Sequence, residues 1–330
     1  MRAVVVEQFG PLAAAKIAEI KPAKPGPDEV LVHGEAAGLN FPDILVIEGN
    51  YQVKPPLPFS PGKELAGVVA EVGANVTDFK PGDRVAAQIE YGAYAQAVVV
   101  HADSCFHIPD GMSFEEAAAM GLSYQTAYFA LLARASFKAG ERVLVNGAAG
   151  GVGLAALQLV KALGGVVLAA VINDDQAEVA RRYGADHIID TSREPLRDTL
   201  REQVKVATDG HGVDIVIDPV GGDVFEASLR AMAWCGRLVV IGFAAGGIPT
   251  VRAGYLLVKN ISVLGLQWTD YRERTPERVR EAQEHMYQLY TDGKLKPHVE
   301  RVVPMEQFAE GLEAIRAGHI RGKAVLQLRD

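Results

Sequence analysis

The sequence predicts an α/β chain: a doubly wound parallel sheet combined with a second, β-rich domain of barrel-like character. Three observations predict it. The apolar run Val143-Leu144-Val145 stops at a small-residue loop, residues 146–153, which opens into a segment of helical spacing, residues 154–161. From about Ser113 onward strands and helices alternate, as parallel strands joined by right-handed crossovers do. Before that point the chain is a series of short strands punctuated by Pro and Gly, which suits a barrel-like sheet.

The elements follow in order. Residues 29–36 alternate apolar and polar side chains, as a half-buried strand does, and residues 67–73 read the same way. Lys80-Pro81-Gly82-Asp83 is a turn feeding a strand, and residues 93–100 form another. Ser113-Phe114-Glu115-Glu116 is a capping box that opens an alanine-rich helix. Strand 166–171 is followed by helix 175–183, stopped by Gly184. After the short strand 187–189 comes helix 195–207, with Pro195 in its first turn. Strand 213–218, helix 223–234 and strands 237–241 and 261–266 complete the alternation. From about Pro276 the chain reads as helix, strand 300–303, helix and strand 324–328. The expected division is residues 1–120 with 270–330 in the β-rich domain, and 121–269 in the parallel-sheet domain.

Composition bounds the function. The 330 residues fit about two domains of ordinary size. Nearly half of them (49%) are apolar, enough for a large core. The net charge of −8 weighs against a binder of nucleic acid, which wants a basic face. The two cysteines, Cys105 and Cys235, are far apart, a reduced intracellular pattern that builds neither a disulfide scaffold nor a cysteine-rich zinc knuckle. The first residues read as a strand without the apolar core of a signal peptide, and no apolar run is long enough to cross a bilayer. A cytoplasmic protein with no membrane association is expected.

The loop carries chemistry. Residues 148–153 form an A-x-G-x-x-G variant of the dinucleotide fingerprint, with Ala148 where the first glycine usually stands. Gly150 lets the backbone approach a pyrophosphate, and Gly153 lets the helix pack close to its strand. The free N–H groups at the helix start face the negative charge. Asn146, Ala148, Ala149, Gly150, Gly151 and Val152 are therefore candidate cofactor-binding residues. A bare helix-start turn is the alternative for the motif alone, and its place on the first strand of an alternating sheet favours the dinucleotide.

Across most of its length the chain resembles the medium-chain dehydrogenase/reductase superfamily, and within it the zinc-free quinone oxidoreductase branch. The resemblance rests on residues 37–43 (AGLNFPD), 61–67 (PGKELAG), 79–85 (FKPGDRV), Thr126-Ala127-Tyr128, the glycine loop, Gly242-Phe243 and Leu257-Val258-Lys259-Asn260. It implies a Rossmann domain beside a GroES-like catalytic domain, with the active site in the cleft between them. It also implies a homodimer, for which the apolar strand 261–266 at the sheet edge offers a surface. Zinc-dependent relatives hold a cysteine, a histidine and a cysteine at three loop positions; here these hold Asn40, Lys63 and Leu122. An ammonium and a leucine are not zinc ligands, so no metal is expected. Without a metal Lewis acid, oxidising an alcohol is hard, whereas reducing a conjugated, already electrophilic acceptor remains feasible.

The resemblance also supplies catalytic candidates. Asn40 offers an amide near the nicotinamide or the acceptor carbonyl, its alternative being a turn-stabilising Asn before Phe-Pro. Asp43 orders the site or caps a helix. Tyr51, in Glu48-Gly49-Asn50-Tyr51, is similar to the proposed proton donor of mitochondrial-type enoyl thioester reductases; a cleft-lining aromatic is the alternative. Ile47 stands where quinone relatives often carry an arginine. On the cofactor side, Thr126 resembles the family threonine at the nicotinamide. Val220, Gly242, Phe243, Ala244, Leu266, Gln267 and Trp268 follow strand ends, where ligands of open α/β sheets lie. Asp218 caps the turn after its strand or faces the site. The histidines show no metal spacing.

The choice of nicotinamide stays open. Val171 ends the second Rossmann strand, so the acidic residue that favours NAD is absent. The lysine and tyrosine that hold the 2′-phosphate in NADPH-using relatives are replaced by Gln176 and Thr191, beside Asn173, and Asp174 and Asp175 repel a phosphate. NADPH is the family default; NADH or dual use is the alternative. The expected function is NAD(P)H-dependent, zinc-independent hydride transfer to a quinone or conjugated enone. The rivals are an enoyl-CoA (enoyl thioester) reductase and a non-catalytic NADPH-binding or RNA-associated protein.

Overall fold

The computed structural model describes residues Met1–Arg329. The chain opens with the antiparallel pair β1 (Arg2–Val5) and β2 (Lys16–Glu19). Next come β3 (Glu29–Leu39), α1 (Phe41–Ile47), β4 (Glu64–Val72), β5 (Arg84–Gln88), β6 (Ala97–His101), β7 (Cys105–His107) and α2 (Phe114–Met120). The alternation in residues 29–36 underestimates β3, whose last residues pair with a strand from the far end of the chain. The capping box forms as read: Glu116 N–H donates to Ser113 Oγ at 3.1 Å and Ser113 N–H to Glu116 Oε2 at 3.4 Å.

The alternating region supplies α3 (Leu122–Tyr128), β8 (Arg142–Val145), α4 (Gly151–Ala162), β9 (Val166–Val171), α5 (Asp174–Arg182), β10 (His187–Asp190), α6 (Leu196–Ala207), β11 (Val213–Asp218), α7 (Gly222–Ala231), β12 (Met232–Val240), α8 (Ala253–Lys259), β13 (Ser262–Gly265) and α9 (Trp268–Arg274). The six strands run parallel in the order β10-β9-β8-β11-β12-β13. Strand order reverses between β8 and β11, the topological switch point beside which ligands of doubly wound sheets lie. The helix expected over 223–234 stops at Ala231. Met232 already pairs with Val213, and the next pair joins Arg237 to Ile215 across a bulge, so 233–236 loop out of register. Buried Met232 and Ala233 continue the helical spacing of Phe225 and Leu229 in sequence while lying at a strand start.

The chain ends with α10 (Pro276–Thr291), β14 (Val299–Pro304), α11 (Phe308–Arg316) and β15 (Lys323–Gln327). β15 pairs antiparallel with β3, which closes the order β14-β15-β3-β4-β5-β7, with β6 also on β3. Two compact units result. The first is Met1–Leu122 with Tyr271–Tyr287 and the residues from Pro297 onward; the second is Ser123–Asp270 with Gln288–Lys296. An uninterrupted return of 270–330 to the first unit is therefore corrected at Gln288–Lys296. The local reason is a buried amide: Gln158 on α4 accepts from Lys296 N–H at 2.7 Å and donates to the Tyr124 hydroxyl at 3.0 Å.

Each unit has its own core. Val4, Val30, Val32, Ile44, Ile47, Leu65 and Leu326 belong to the first, and Leu144, Leu168, Val216, Phe225 and Leu238 to the second. Fully burying such a side chain contributes about 1.5–3 kcal/mol, which fixes the strand ends that carry the loops described next. Among the described residues no helix is long and apolar enough to cross a membrane.

Candidate active site

In the second unit the candidate residues gather at the carboxyl edge of the parallel sheet. β8 delivers the chain into the turn 146–150, pinned at both sides of the switch point. Asn146 N–H donates to Ile217 O at 3.0 Å on β11, and Ala148 N–H to Ala170 O at 3.1 Å on β9. Gly153 is demanded by close approach: a Cβ there meets Gly147 O at 2.2 Å and Ala148 Cα at 2.7 Å. At Gly150 the opposite holds. A Cβ there has only Gly147 O within reach, at 3.4 Å, so the backbone faces open space. The N-terminus of α4 carries no side-chain cap. Open space at Gly150 beside the uncapped N–H groups of Gly151 and Val152 fits a pyrophosphate.

Asn146 is occupied differently. Its side chain is fully buried, and its amide donates to Asp218 Oδ1 at 3.0 Å and to Ser228 Oγ at 3.1 Å. Asp218 in turn accepts from the N–H groups of Val220 and Gly221 at 3.2 and 3.3 Å. This is the turn-capping alternative for Asp218. Burial raises the Asp218 carboxyl above its usual range, and the Asn146 hydrogen bond pulls it back. The pair ties β8 to β11, so the Asn146 side chain anchors the turn.

The loops after β11 and β12 are laced together, with Ala244 N–H on Pro219 O (3.1 Å) and Ala245 N–H on Val220 O (3.0 Å). Val220, Gly242, Phe243 and Ala244 thus share one edge. Leu266 joins them through its N–H on Val240 O at 3.1 Å, ahead of Gln267 and the buried Trp268. At the end of β9, Asn173 and Gln176 form a reciprocal cap: Gln176 N–H donates to Asn173 Oδ1 at 2.9 Å, and Ile172 N–H to Gln176 Oε1 at 3.1 Å. The Thr191 hydroxyl donates to Val171 O at 3.0 Å. Both replacements for the phosphate clamp are thus engaged with backbone. Thr126 lies buried on α3, outside these edge loops.

In the first unit α1 organises the site. Asn40 is its N-cap, and Asp43 accepts from Asn40 N–H at 2.9 Å. Asp43 therefore caps the helix. The same oxygen, Oδ2, accepts from the Tyr94 hydroxyl at 2.7 Å, while Oδ1 is buried without a hydrogen-bond partner. Burial pushes the Asp43 carboxyl up to about 6, against the Tyr94 hydrogen bond and the charges of Lys63 and Lys323. Burial and the adjacent Asp43 hold the Tyr94 phenol well above its usual value.

The Asn40 amide is committed at both ends. Its Oδ1 accepts from Lys323 Nζ, and its Nδ2 donates to Glu64 Oε1 at 2.8 Å and to Gly38 O at 3.2 Å. Glu64 also accepts from Lys323 Nζ at 2.7 Å and from Leu122 N–H at 2.6 Å. Two glycines make room for this carboxylate: a Cβ at Gly38 lies 2.2 Å from Glu64 Oε1, and one at Gly121 lies 2.4 Å from Oε2. Lys63 points elsewhere, into an ion pair with Glu90 and to the Glu90 carbonyl at 3.1 Å. Its Nζ lies 4.5 Å from the centre of the Tyr51 ring. Ile47 is fully buried in the core, so that position packs the unit.

The three positions that hold ligands in zinc relatives thus carry an amide engaged with Lys323 and Glu64, a paired ammonium, and a leucine whose N–H is spent on Glu64. This donor set does not fit zinc. No group of three His, Cys, Asp or Glu converges among the described residues. Sequence reasoning passed over Tyr94, Glu90, Arg272 and Lys323. The available signal was faint: charged residues set in apolar runs, as at Lys323-Ala324-Val325-Leu326.

Comparison with known proteins agrees with the fold. Residues 26–110 match the alcohol dehydrogenase GroES-like domain, and residues 151–284 match the family described as zinc-binding dehydrogenase. The chain is 38% identical over 314 residues to quinone oxidoreductase-like protein 2 of Mus musculus, covering 95% of this chain and 89% of that protein. It superposes on the Escherichia coli quinone oxidoreductase complexed with NADPH with a TM-score of 0.90 at 32% identity, over 99% of this chain and 100% of the other. The CurK enoyl reductase superposes with a TM-score of 0.88 at 25% identity, over 99% and 98%. With its GroES-like and Rossmann units and these relatives, the chain belongs to the quinone oxidoreductase branch of the medium-chain dehydrogenase/reductase superfamily.

Proposed function

We propose that the protein is an NADPH-dependent reductase of quinones or conjugated enones that works without zinc. One observation carries the reading: the open, uncapped turn at Gly150–Val152 belongs to a chain whose other unit holds a buried cation, Lys63, at a zinc-ligand position of its relatives, with the Tyr51 phenol ring against it. A nicotinamide bound at the sheet edge supplies hydride. The N–H groups of Gly151 and Val152 hold the pyrophosphate, and the loops of Val220, Gly242–Ala244 and Leu266 flank the carrier. Tyr51 supplies the proton to the reduced acceptor. Glu64, Lys323 and Asp43 fix the start of α1 and hence the loop that ends at Tyr51. The solved relative in complex with NADPH supports that cofactor. Gln176 and Thr191 are hydrogen-bonded to backbone, which supports 2′-phosphate contacts other than the usual clamp.

The test is NADPH oxidation with an ortho-quinone and with crotonyl-CoA under matched conditions. Clear turnover of the quinone is the expected result. A much larger kcat/KM for crotonyl-CoA replaces this reading with enoyl thioester reduction, which the likeness to the CurK enoyl reductase favours. Tight NADPH binding without turnover of either replaces it with a non-catalytic role. The assembly proposed is a homodimer through β13, the terminal strand of its sheet.

A further inference from the structure

The Lys63 side chain is 4% exposed, and its ammonium faces a phenol ring. Glu90 pairs with Lys63 through Oε1, but Glu90 Oε2 also takes the Arg272 guanidinium at 2.9 Å. One carboxylate thus contacts two cations, and the Lys63 ammonium lies against the Tyr51 ring. Asp43, on the other side, is close enough to Lys63 for their charges to interact. A cation over an aromatic face is attracted to its π electrons, and more strongly when the ring carries a phenolate.

We propose that Lys63 is a positioning residue that holds the Tyr51 ring and makes its phenol a stronger acid, with Glu90 moderating the charge the ring feels. The proposal rests on the reading of Tyr51 as proton donor. When the acceptor has taken a hydride, with its electron pair, from the reduced nicotinamide, the Tyr51 O–H bond breaks. The proton passes to the developing oxyanion of the acceptor, and water restores the phenol. Lys63 gives up no proton: two of its three N–H directions are held by the Glu90 carbonyl and carboxylate.

The experiment is an ultraviolet phenolate titration of the whole protein, with Tyr51→Phe as the blank that isolates the Tyr51 signal. Lys63→Met is expected to raise the Tyr51 midpoint by about one pH unit, the scale of a partly desolvated cation–ring contact. Glu90→Gln is expected to lower it, because it removes the negative charge paired with Lys63. Lys63→Arg is expected to keep the midpoint near that of the parent. Opposite shifts in Lys63→Met and Glu90→Gln support the proposal; a merely structural role moves both the same way or neither, and either result overturns it. If Lys63→Met does not fold, Glu90→Gln and Lys63→Arg decide alone: a midpoint unmoved in Glu90→Gln, or raised in Lys63→Arg as by loss of the charge, overturns it. The basic limb of the kcat/KM profile is expected to follow the midpoint. Full turnover by Tyr51→Phe removes the donor reading separately, since the titration does not depend on turnover.

Discussion

Lys323 Nζ lies 2.7 Å from Glu64 Oε1, with the two side chains 5% and 1% exposed. The pair joins β15 to the start of β4 across most of the chain length. Its remaining valences are filled by Asn40, the Leu39 carbonyl and Leu122 N–H, so neither charge is stranded. Removing one partner strands the other. Lys323→Met is therefore expected to destabilise the protein by about 3–5 kcal/mol, whereas Lys323→Met with Glu64→Gln recovers more than half of that loss. Urea denaturation of the two variants checks it; equal losses in single and double variants refute the coupling.

The reach of this pair also shows what the sequence could and could not disclose. The glycine turn, the strands at 166–171 and 213–218 and the capping box at Ser113 are local, and each is legible from its own residues because propensity, period and capping agree there. β12 was misread because Met232 and Ala233 satisfy a helical stripe while the register with β11 is set elsewhere. Lys323 and Arg272 were missed because nothing near them in sequence reveals Glu64 or Glu90 as partners. Asn40, Asp43 and Tyr51 lie close in sequence, at the N-cap of α1, on α1 and shortly after it, so the sequence could propose them together. Their partners, which decide what each can do, come from distant strands.

The Asp43 carboxyl gives the first unit a pH dependence. In the unfolded chain this group titrates near 3.8, and in the fold burial holds it at about 6. The folded state binds more protons between those values, so stability falls as pH rises through that window, by about 3 kcal/mol in all, and levels off above it. Asp43→Asn is expected to remove this slope. Its amide oxygen keeps the donors Asn40 N–H and Tyr94 OH, and its NH₂ replaces the unpartnered Oδ1. At about pH 8 the variant should equal or exceed the parent in stability. Denaturation midpoints across the window check it, and an unchanged slope in the variant refutes the assignment.

Gly153 tests the dinucleotide turn. A methyl group there meets backbone on the facing turn, Gly147 O at 2.2 Å, so α4 or the turn must move. Gly153→Ala is expected to weaken NADPH binding at least tenfold, about 1.4 kcal/mol, by titration of nucleotide fluorescence. Gly254→Ala is the control, since a Cβ there meets nothing within 4 Å and it lies on α8. Equal affinity in the Gly153 variant refutes the role of this turn.

The proposed dimer has a surface to match. Among the described residues β13 pairs only with β12, and next to it the chain exposes Trp234 (78%), Leu257 (82%) and Val258 (83%). These side chains belong to one region, since Cys235 N–H donates to Asn260 O at 3.0 Å and brings the β12 bulge against the end of α8. An open strand edge beside large apolar side chains is a liability in water unless a second copy covers it. Light scattering is therefore expected to give a dimer for the parent chain. Val258→Glu should give a monomer with unchanged affinity for NADPH, because a carboxylate placed on each side of a two-fold interface meets its own image. A monomeric parent chain refutes the dimer outright, and a dimeric Val258→Glu moves the interface away from α8.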